Sequence, residues 1–207
     1  MPGTNEPDLH LASASPRRRE ILSALGLTFT FGGAGVDESA EAGESISGMV
    51  LRLAAAKASA VFDTGDHVVP VLGADTLVVL DGRVFGKPGS RDDALEMLDR
   101  LSDRTHQVLT GVAVVTSEGM QTAVSTTDVQ FREIGPDEAH AYWQSGEPAG
   151  KAGGYAVQGL GGIFVKSIQG SYSGVVGLPV YETANLLQGA GVELPAIARH
   201  RPRNANA

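Results

Sequence analysis

The sequence predicts a mixed α/β (α+β) protein: a mixed β-sheet with flanking helices, compatible with two lobes around a cleft. Three observations predict it. The run "VVPVLGADTLVVL" (68–80) is almost continuously apolar and broken by a single aspartate, as expected of a buried central strand. Residues 104–133 hold two long segments with partial apolar alternation joined around Ser117-Glu118-Gly119, which reads as a long hairpin. Helix-period segments alternate with these strands, and no internal repeat or long linker interrupts them.

The elements follow in order. Leu9–Ala12 reads as a short strand, and a helix runs from about Pro16 to Leu25, where Gly26 stops it. A second strand covers Thr28–Phe31. After the Gly-rich "GGAGVDESAEAGES" comes a long helix over 45–62, with Ile46, Met49, Val50, Leu53 and Ala54 at helical spacing. Asp81-Gly82 marks a tight hairpin after the central strand. Ser90 caps a helix whose first turn carries acids, which suits the positive pole of the helix dipole. Beyond the long hairpin, a helix is expected over Pro136–Gln144, then the Gly-rich "SGEPAGKAGGYAVQGLGG". Strands are expected near 163–168 and around 173–176, with a last helix over Pro179–Leu187. The tail "RHRPRNANA" is polar and expected to fray.

With 207 residues, 42% of them hydrophobic, the chain can bury a substantial core. It has no cysteine, so neither disulfides nor thiolate metal sites can form, which fits a reducing compartment. "MPGTNEPDLH" lacks the pattern of a signal peptide, and no apolar stretch approaches the roughly 20 residues of a membrane helix. A cytoplasmic protein that does not engage membranes is expected. The net charge of −8 argues against a general nucleic-acid binder, because such binding needs Lys and Arg to neutralise phosphates. A local cationic cluster inside a cleft can still take a small anion, since screening acts over about 8 Å.

Such a cluster stands in "SASPRRREIL" (13–22). Ser15-Pro16 has the form of a helix start, with a hydroxyl N-cap and proline at the first helical position. Arg17, Arg18 and Arg19 then sit at the positive pole of that helix, an unfavourable place unless an anion meets them. A phosphate would accept from the free first-turn amides, from Ser13 or Ser15, and from an arginine fork. Pairing of these arginines with surface acids such as Glu20 is the plain alternative.

Other residues suit polyphosphate chemistry. Asp75 lies within the apolar run, where a carboxylate is expensive unless it serves a metal, a cation or a proton transfer. Asp37 and Glu38 supply a second acidic loop. Lys57 falls near the apolar face of its helix, and Lys87 is held on a turn between Gly86 and Pro88. Together they resemble the parts of a metal-assisted phosphoryl-transfer site. No GxxxxGK[ST], HExxH or GxSxG motif is present.

The segments "LASASPRRREIL", "LRLAAAKA", "LGADTLVVL", "GKP", "THQVLTGVAV" and "SGEPAGKAGGYAVQGLGGIFVKSIQGSYSGVVGLPVYET" resemble, in order, the Maf family of nucleotide pyrophosphatases. The resemblance covers about 9–188 as one Maf-like domain. It leaves 1–8 as an N-terminal extension and 189–207 as a C-terminal segment. It implies a fold related to inosine-triphosphate pyrophosphatases, a homodimer, and hydrolysis of nucleoside triphosphates to monophosphate and pyrophosphate with Mg2+ or Mn2+. Its "KAGGYAVQG" and "GSYSGVVGLP" blocks are similar to the branch acting on dTTP and UTP rather than the sister branch acting on 7-methyl-GTP. The family's general base maps to Asp75, its specificity positions to Arg17, Thr76 and Gln158, and further cleft residues to Ser13, Glu38, Lys57 and Lys87. On residue chemistry Arg18 joins the substrate-binding set, and Glu38 and Asp75 are the expected metal ligands. Gly150 departs from the branch, which usually has an acid there. A non-catalytic nucleotide-binding regulator of cell division is the rival from another class, and Asp75 speaks against it.

Overall fold

The computed structural model describes residues 6–33, 35–65 and 68–194. The expected frayed tail lies outside the described residues, as does most of the N-terminal extension. Seven strands form one mixed sheet: β1 (Leu9–Leu11), β2 (Phe29–Phe31), β3 (Val71–Leu80), β4 (Arg83–Phe85), β5 (Thr105–Thr116), β6 (Gly119–Phe131) and β7 (Val165–Gln169). The order is β2-β1-β3-β5-β6-β7, with β4 also paired to β3. β1 runs parallel to β2 and β3, and every other pairing is antiparallel. The helices are α1 (Pro16–Ala24), α2 (Ile46–Phe62), α3 (Arg91–Leu101), α4 (Pro136–Gln144), α5 (Tyr172–Val176) and α6 (Val180–Gly189). Among the described residues no helix is long and apolar enough to cross a membrane.

Local chemistry explains most boundaries. Ser45 and Ser90 cap α2 and α3, accepting from the amides of Gly48 (3.0 Å) and Asp93 (3.1 Å). Asp81 and Gly82 both take positive φ (50° and 74°), the backbone that a two-residue hairpin with right-handed twist requires. The strand expected around 173–176 is instead the short helix α5. Ser171 accepts from the amide of Gly174 (3.0 Å) as its cap and Gly177, at φ 128°, ends it, so the Val175-Val176 pair misleads. The strand expected near 163–168 is β7, shifted later by a 3₁₀ turn over Leu160–Phe164.

The core divides in a way that makes the cleft. On one sheet face, Leu72 and Ala74 of β3 and Val112 and Val114 of β5 join Leu9, Leu22 and Leu187 beneath α1 and α6. On the same face further along, Val78, Leu80, Val108 and Val129 join Leu98, Leu101 and Phe131 beneath α3 and α4. Between these two cores lies a polar row in register across three strands, Thr76, Thr110 and Ser125. The two lobes expected from the sequence are these two cores. On the opposite face α2 lies against β3 and β5 with Ala54, Ala58, Val50 and Leu77 packed between them.

One buried histidine gives the fold a pH dependence. His106 is 1% exposed, and its Nε2 lies 2.8 Å from the Tyr155 hydroxyl, while Nδ1 has no hydrogen-bond partner among the described residues. Burial pushes its pKa down from 6.5 to about 4. The unfolded chain therefore binds the extra proton first, so this contribution is intact above pH 6.5 and is lost as pH falls towards 4. Moving from pH 7 to pH 5 is expected to remove about 2 kcal/mol through this group. Urea unfolding of wild type and His106→Gln at both values checks it: the variant should lose markedly less on acidification.

Candidate active site

The cleft opens where β3 has a bare edge. On that edge β1 pairs only with Val71 and Leu72, and β4 only with Val78 to Leu80. Among the described residues, 73–77, including Asp75 and Thr76, have no strand paired on that side. The chain leaving β1 (Ala12–Ser15) and the start of α1 border this gap, and the 150–158 loop and α5 close the other side of a cavity of about 620 Å³.

The three arginines separate. Arg19 turns away and stacks its guanidinium 4.3 Å from the ring centroid of Phe31, a cation–π contact that accounts for one cation without an anion. Arg17 and Arg18 line the cleft. Arg18 donates from Nε to the Gly177 carbonyl (2.8 Å), from Nη1 to Ser13 Oγ (3.2 Å) and from Nη2 to Thr76 Oγ1 (3.4 Å). Arg17 has no hydrogen bond or ion pair among the described residues. Burial pulls the pKa of both below the ordinary arginine value; at Arg18 the charge of Asp75 opposes this and that of Arg17 adds to it. Ser15 occupies the N-cap position of α1, but its side chain makes no capping bond. That corrects the expected hydroxyl cap. Ser13 Oγ instead accepts from the Ser15 amide (3.2 Å), and among the described residues the first-turn amides of α1 have no side-chain acceptor.

Lys57 ties the acids together. Its ammonium lies 2.5 Å from Asp75 Oδ1 and 2.5 Å from Glu38 Oε1, and Lys87 approaches Glu38 Oε2 at 3.9 Å. The Lys57 hydrogen bond holds the Glu38 carboxyl below the usual range despite partial burial. Two glycines let α2 carry Lys57 this close. A Cβ at Gly73 would collide with the Ala54 carbonyl oxygen and lie 2.8 Å from the Ala58 amide nitrogen, and one at Gly111 would lie 2.6 Å from the Val50 carbonyl oxygen. The loop carrying Glu38 is clamped by Arg52, which donates to Glu44 (2.7 and 2.8 Å) and to the Ser39 carbonyl (3.0 Å). Asp37 is spent locally, accepting from the Ser39 amide (2.9 Å).

Gln158 lines the same cleft, is exposed, and makes no hydrogen bond among the described residues. Around it the wall is apolar: Val78, Val108, Tyr155, Ala156, Val175 and Val176. The cleft thus combines a cationic set with an apolar wall. Ser13, Arg17, Arg18, Lys57, Asp75, Thr76, Lys87 and Gln158 all line it, with Glu38 joined through Lys57.

Three contributors escaped the sequence reading. Lys151 lines the cleft, and among the described residues its ammonium donates only to the Ala149 carbonyl (3.3 Å); burial and Arg17 lower its pKa, while Glu147 opposes them. Thr110 lies 3.0 Å from Thr76 and donates to the Gly174 carbonyl (2.8 Å), and the Gly177 carbonyl orients Arg18. A lysine in a loop and backbone acceptors carry no sequence signal. Counted together, five cations face two carboxylates in a chain of net charge −8. An anionic ligand would offset that local excess.

Among the described residues no group of three or more His, Asp or Glu side chains could hold a metal alone. The oxygens of Asp75 and Glu38 remain, two hard donors bridged by one lysine. That donor set suits Mg2+ or Mn2+ when a polyphosphate supplies further oxygens, since Mg2+ usually binds through one or two carboxylates plus substrate phosphates.

Comparison with known proteins gives consistent relatives. A dTTP/UTP pyrophosphatase of Hahella chejuensis is 50% identical over 188 residues, covering 90% of this chain and 94% of that protein. One from Saccharophagus degradans is 50% identical over 188 residues (89% and 90%), and one from Pseudoalteromonas translucida 51% identical over 180 residues (87% and 95%). The family model described as Maf-like protein matches residues 8–190. With that match spanning the sheet, the cleft and every residue that lines it, the chain belongs to the Maf family.

Proposed function

We propose that this chain hydrolyses dTTP and UTP to the monophosphate and pyrophosphate, a house-cleaning reaction of the nucleotide pool. The observation that carries the reading is the meeting, in one cleft, of Asp75 and Lys57 with an uncompensated set of cations. A binder of phosphate alone gains nothing from a carboxylate at that place, which disfavours the non-catalytic regulator. The names of the relatives favour a pyrimidine nucleotide over 7-methyl-GTP, and the apolar residues that line the cleft with Gln158 suit a base.

In this reading the triphosphate lies against Ser13, Arg17, Arg18, Lys87 and the α1 amides, and the base reaches Thr76 and Gln158. Asp75 accepts a proton from a water whose oxygen bonds to the α-phosphorus. The bond from that phosphorus to the α–β bridging oxygen breaks, and pyrophosphate departs. Lys57 orients the Asp75 carboxylate, and the arginines and lysines meet the charge that grows on the phosphoryl oxygens and the leaving group. A divalent ion held by Glu38, Asp75 and triphosphate oxygens would neutralise polyphosphate charge. The homodimer implied by the resemblance and the cytoplasmic compartment expected from the sequence belong to the same proposal.

A nucleotide panel tests it. With Mg2+ or Mn2+, pyrophosphate release from dTTP and UTP is expected well above that from CTP, ATP, GTP and 7-methyl-GTP, and excess EDTA should abolish it. Equal turnover in EDTA, or a preference for 7-methyl-GTP, would contradict the proposal.

A further inference from the structure

Gln158 sits on a segment of irregular backbone, so something must fix where its amide points. The hydrogen bonds around it converge on two side chains that do not enter the cleft. The Glu147 carboxylate accepts from the amides of Leu160 (2.9 Å, Oε2) and Gly161 (2.8 Å, Oε1) and from the Tyr142 hydroxyl (2.7 Å). That hydroxyl in turn accepts from the amide of Ala156 (3.2 Å). The loop is therefore pinned two residues before Gln158 and again two and three residues after it. Gly159 makes room: a Cβ there would lie 2.6 Å from Glu147 Cδ. Tyr142 is itself locked in the core of one lobe, its ring 5.0 Å from that of Phe164 and at right angles to it. Partial burial pushes the Glu147 carboxyl up, but the two amides and the tyrosine hydroxyl outweigh it and hold it below the usual range. A carboxylate is the one group able to accept all three donors at once.

We infer that Glu147, supported by Tyr142, is a positioning residue that sets the base specificity of the cleft by fixing the loop that presents Gln158. The inference rests on the proposed role of Gln158 in reading the base. Within that role the consequence is definite. An amide that reads an edge by donor and acceptor must be held in one place and one sense, because uracil and thymine present an N3–H where cytosine presents an acceptor. Glu147→Gln would turn an amide donor against one of the loop N–H groups, and Tyr142→Phe would remove both the donor to Glu147 and the acceptor for Ala156. Either loosens the loop without touching Asp75, Arg17, Arg18, Lys57 or Lys87; Glu147→Gln also removes a charge that acts on Lys151, which Tyr142→Phe leaves in place.

The test compares kcat/KM for UTP and CTP in wild type, Gln158→Ala, Glu147→Gln, Tyr142→Phe and the Gln158→Ala/Glu147→Gln double variant, with amide hydrogen exchange at Leu160 and Gly161. Glu147→Gln is expected to lower the UTP-to-CTP ratio by about tenfold, mainly through KM for UTP, and to lose protection at both amides. In the Gln158→Ala background the same change should lower the ratio no further. If Gln158→Ala lowers the ratio while Glu147→Gln and Tyr142→Phe leave it unchanged, the inference is overturned and the role of Gln158 stands. If Gln158→Ala leaves the ratio unchanged, both fall. Should Glu147→Gln fail to fold, Tyr142→Phe decides by the same ratio, because its ring remains in the core.

Discussion

Asp75→Asn lowers kcat for dTTP and UTP by at least 10²–10⁴-fold, roughly the range for loss of a general base, and by more if a metal ligand is lost with it. The substitution is nearly isosteric; it removes the charge and replaces one acceptor oxygen with an NH2 donor. Asp75 is buried, and Lys57 keeps Glu38 as a partner at 2.5 Å, so the ammonium is not left without an anion. The fold should survive, with some loss of stability. Nucleotide binding should be retained, because the cations that face the triphosphate are untouched. A drop confined to kcat, with KM little changed and a native circular dichroism spectrum, is the expected pattern. Retention of more than about a tenth of wild-type kcat would remove Asp75 from the role of base.

Gly73→Ala is expected to damage stability and turnover together. The new methyl group meets the backbone of α2 at Ala54 and Ala58, not the end of a flexible side chain, so the helix itself must move. Overpacking of this kind costs about 1–3 kcal/mol, and backbone obstruction places this site at the upper end. Lys57 follows Ala54 by three residues on that helix, so displacement of α2 also shifts its ammonium relative to Asp75. A lower midpoint in urea and a reduced kcat should therefore appear in one variant that alters no cleft side chain. Gly82→Ala, at a hairpin where a Cβ meets nothing within 4 Å, serves as the control. It should lower stability through its positive φ (74°) and leave kcat unchanged. Full activity and stability in Gly73→Ala would mean that the close approach of α2 to the sheet does not position Lys57.

Much of this was legible in the sequence, for reasons that differ by element. β3 was readable because burial on both faces leaves a continuous apolar run, in which Asp75 stands out. α2 and α3 were readable because a serine cap and a helical period coincide. α5 was misread because two adjacent valines favour a strand, while the outcome was decided by the Ser171 cap and by Gly174 and Thr110 meeting across 64 residues. The helix start at Ser15 was placed correctly, but its cap was not, since Ser13 turns its hydroxyl to the Ser15 amide and to Arg18. Among the arginines the sequence could not separate Arg19 from its neighbours, because the separation depends on Phe31 arriving from β2. Likewise Arg52, Lys151 and Glu147 act through loop geometry that no local pattern encodes.

The most direct measurement of the central claim is the fate of solvent oxygen. UTP is hydrolysed by the wild-type protein in heavy-oxygen water with Mg2+, and the products are separated and weighed by mass spectrometry. Attack by an Asp75-activated water at the α-phosphorus puts the label in UMP and leaves pyrophosphate unlabelled. Label in pyrophosphate, or UDP with labelled orthophosphate, would place the attack at another phosphorus and contradict it.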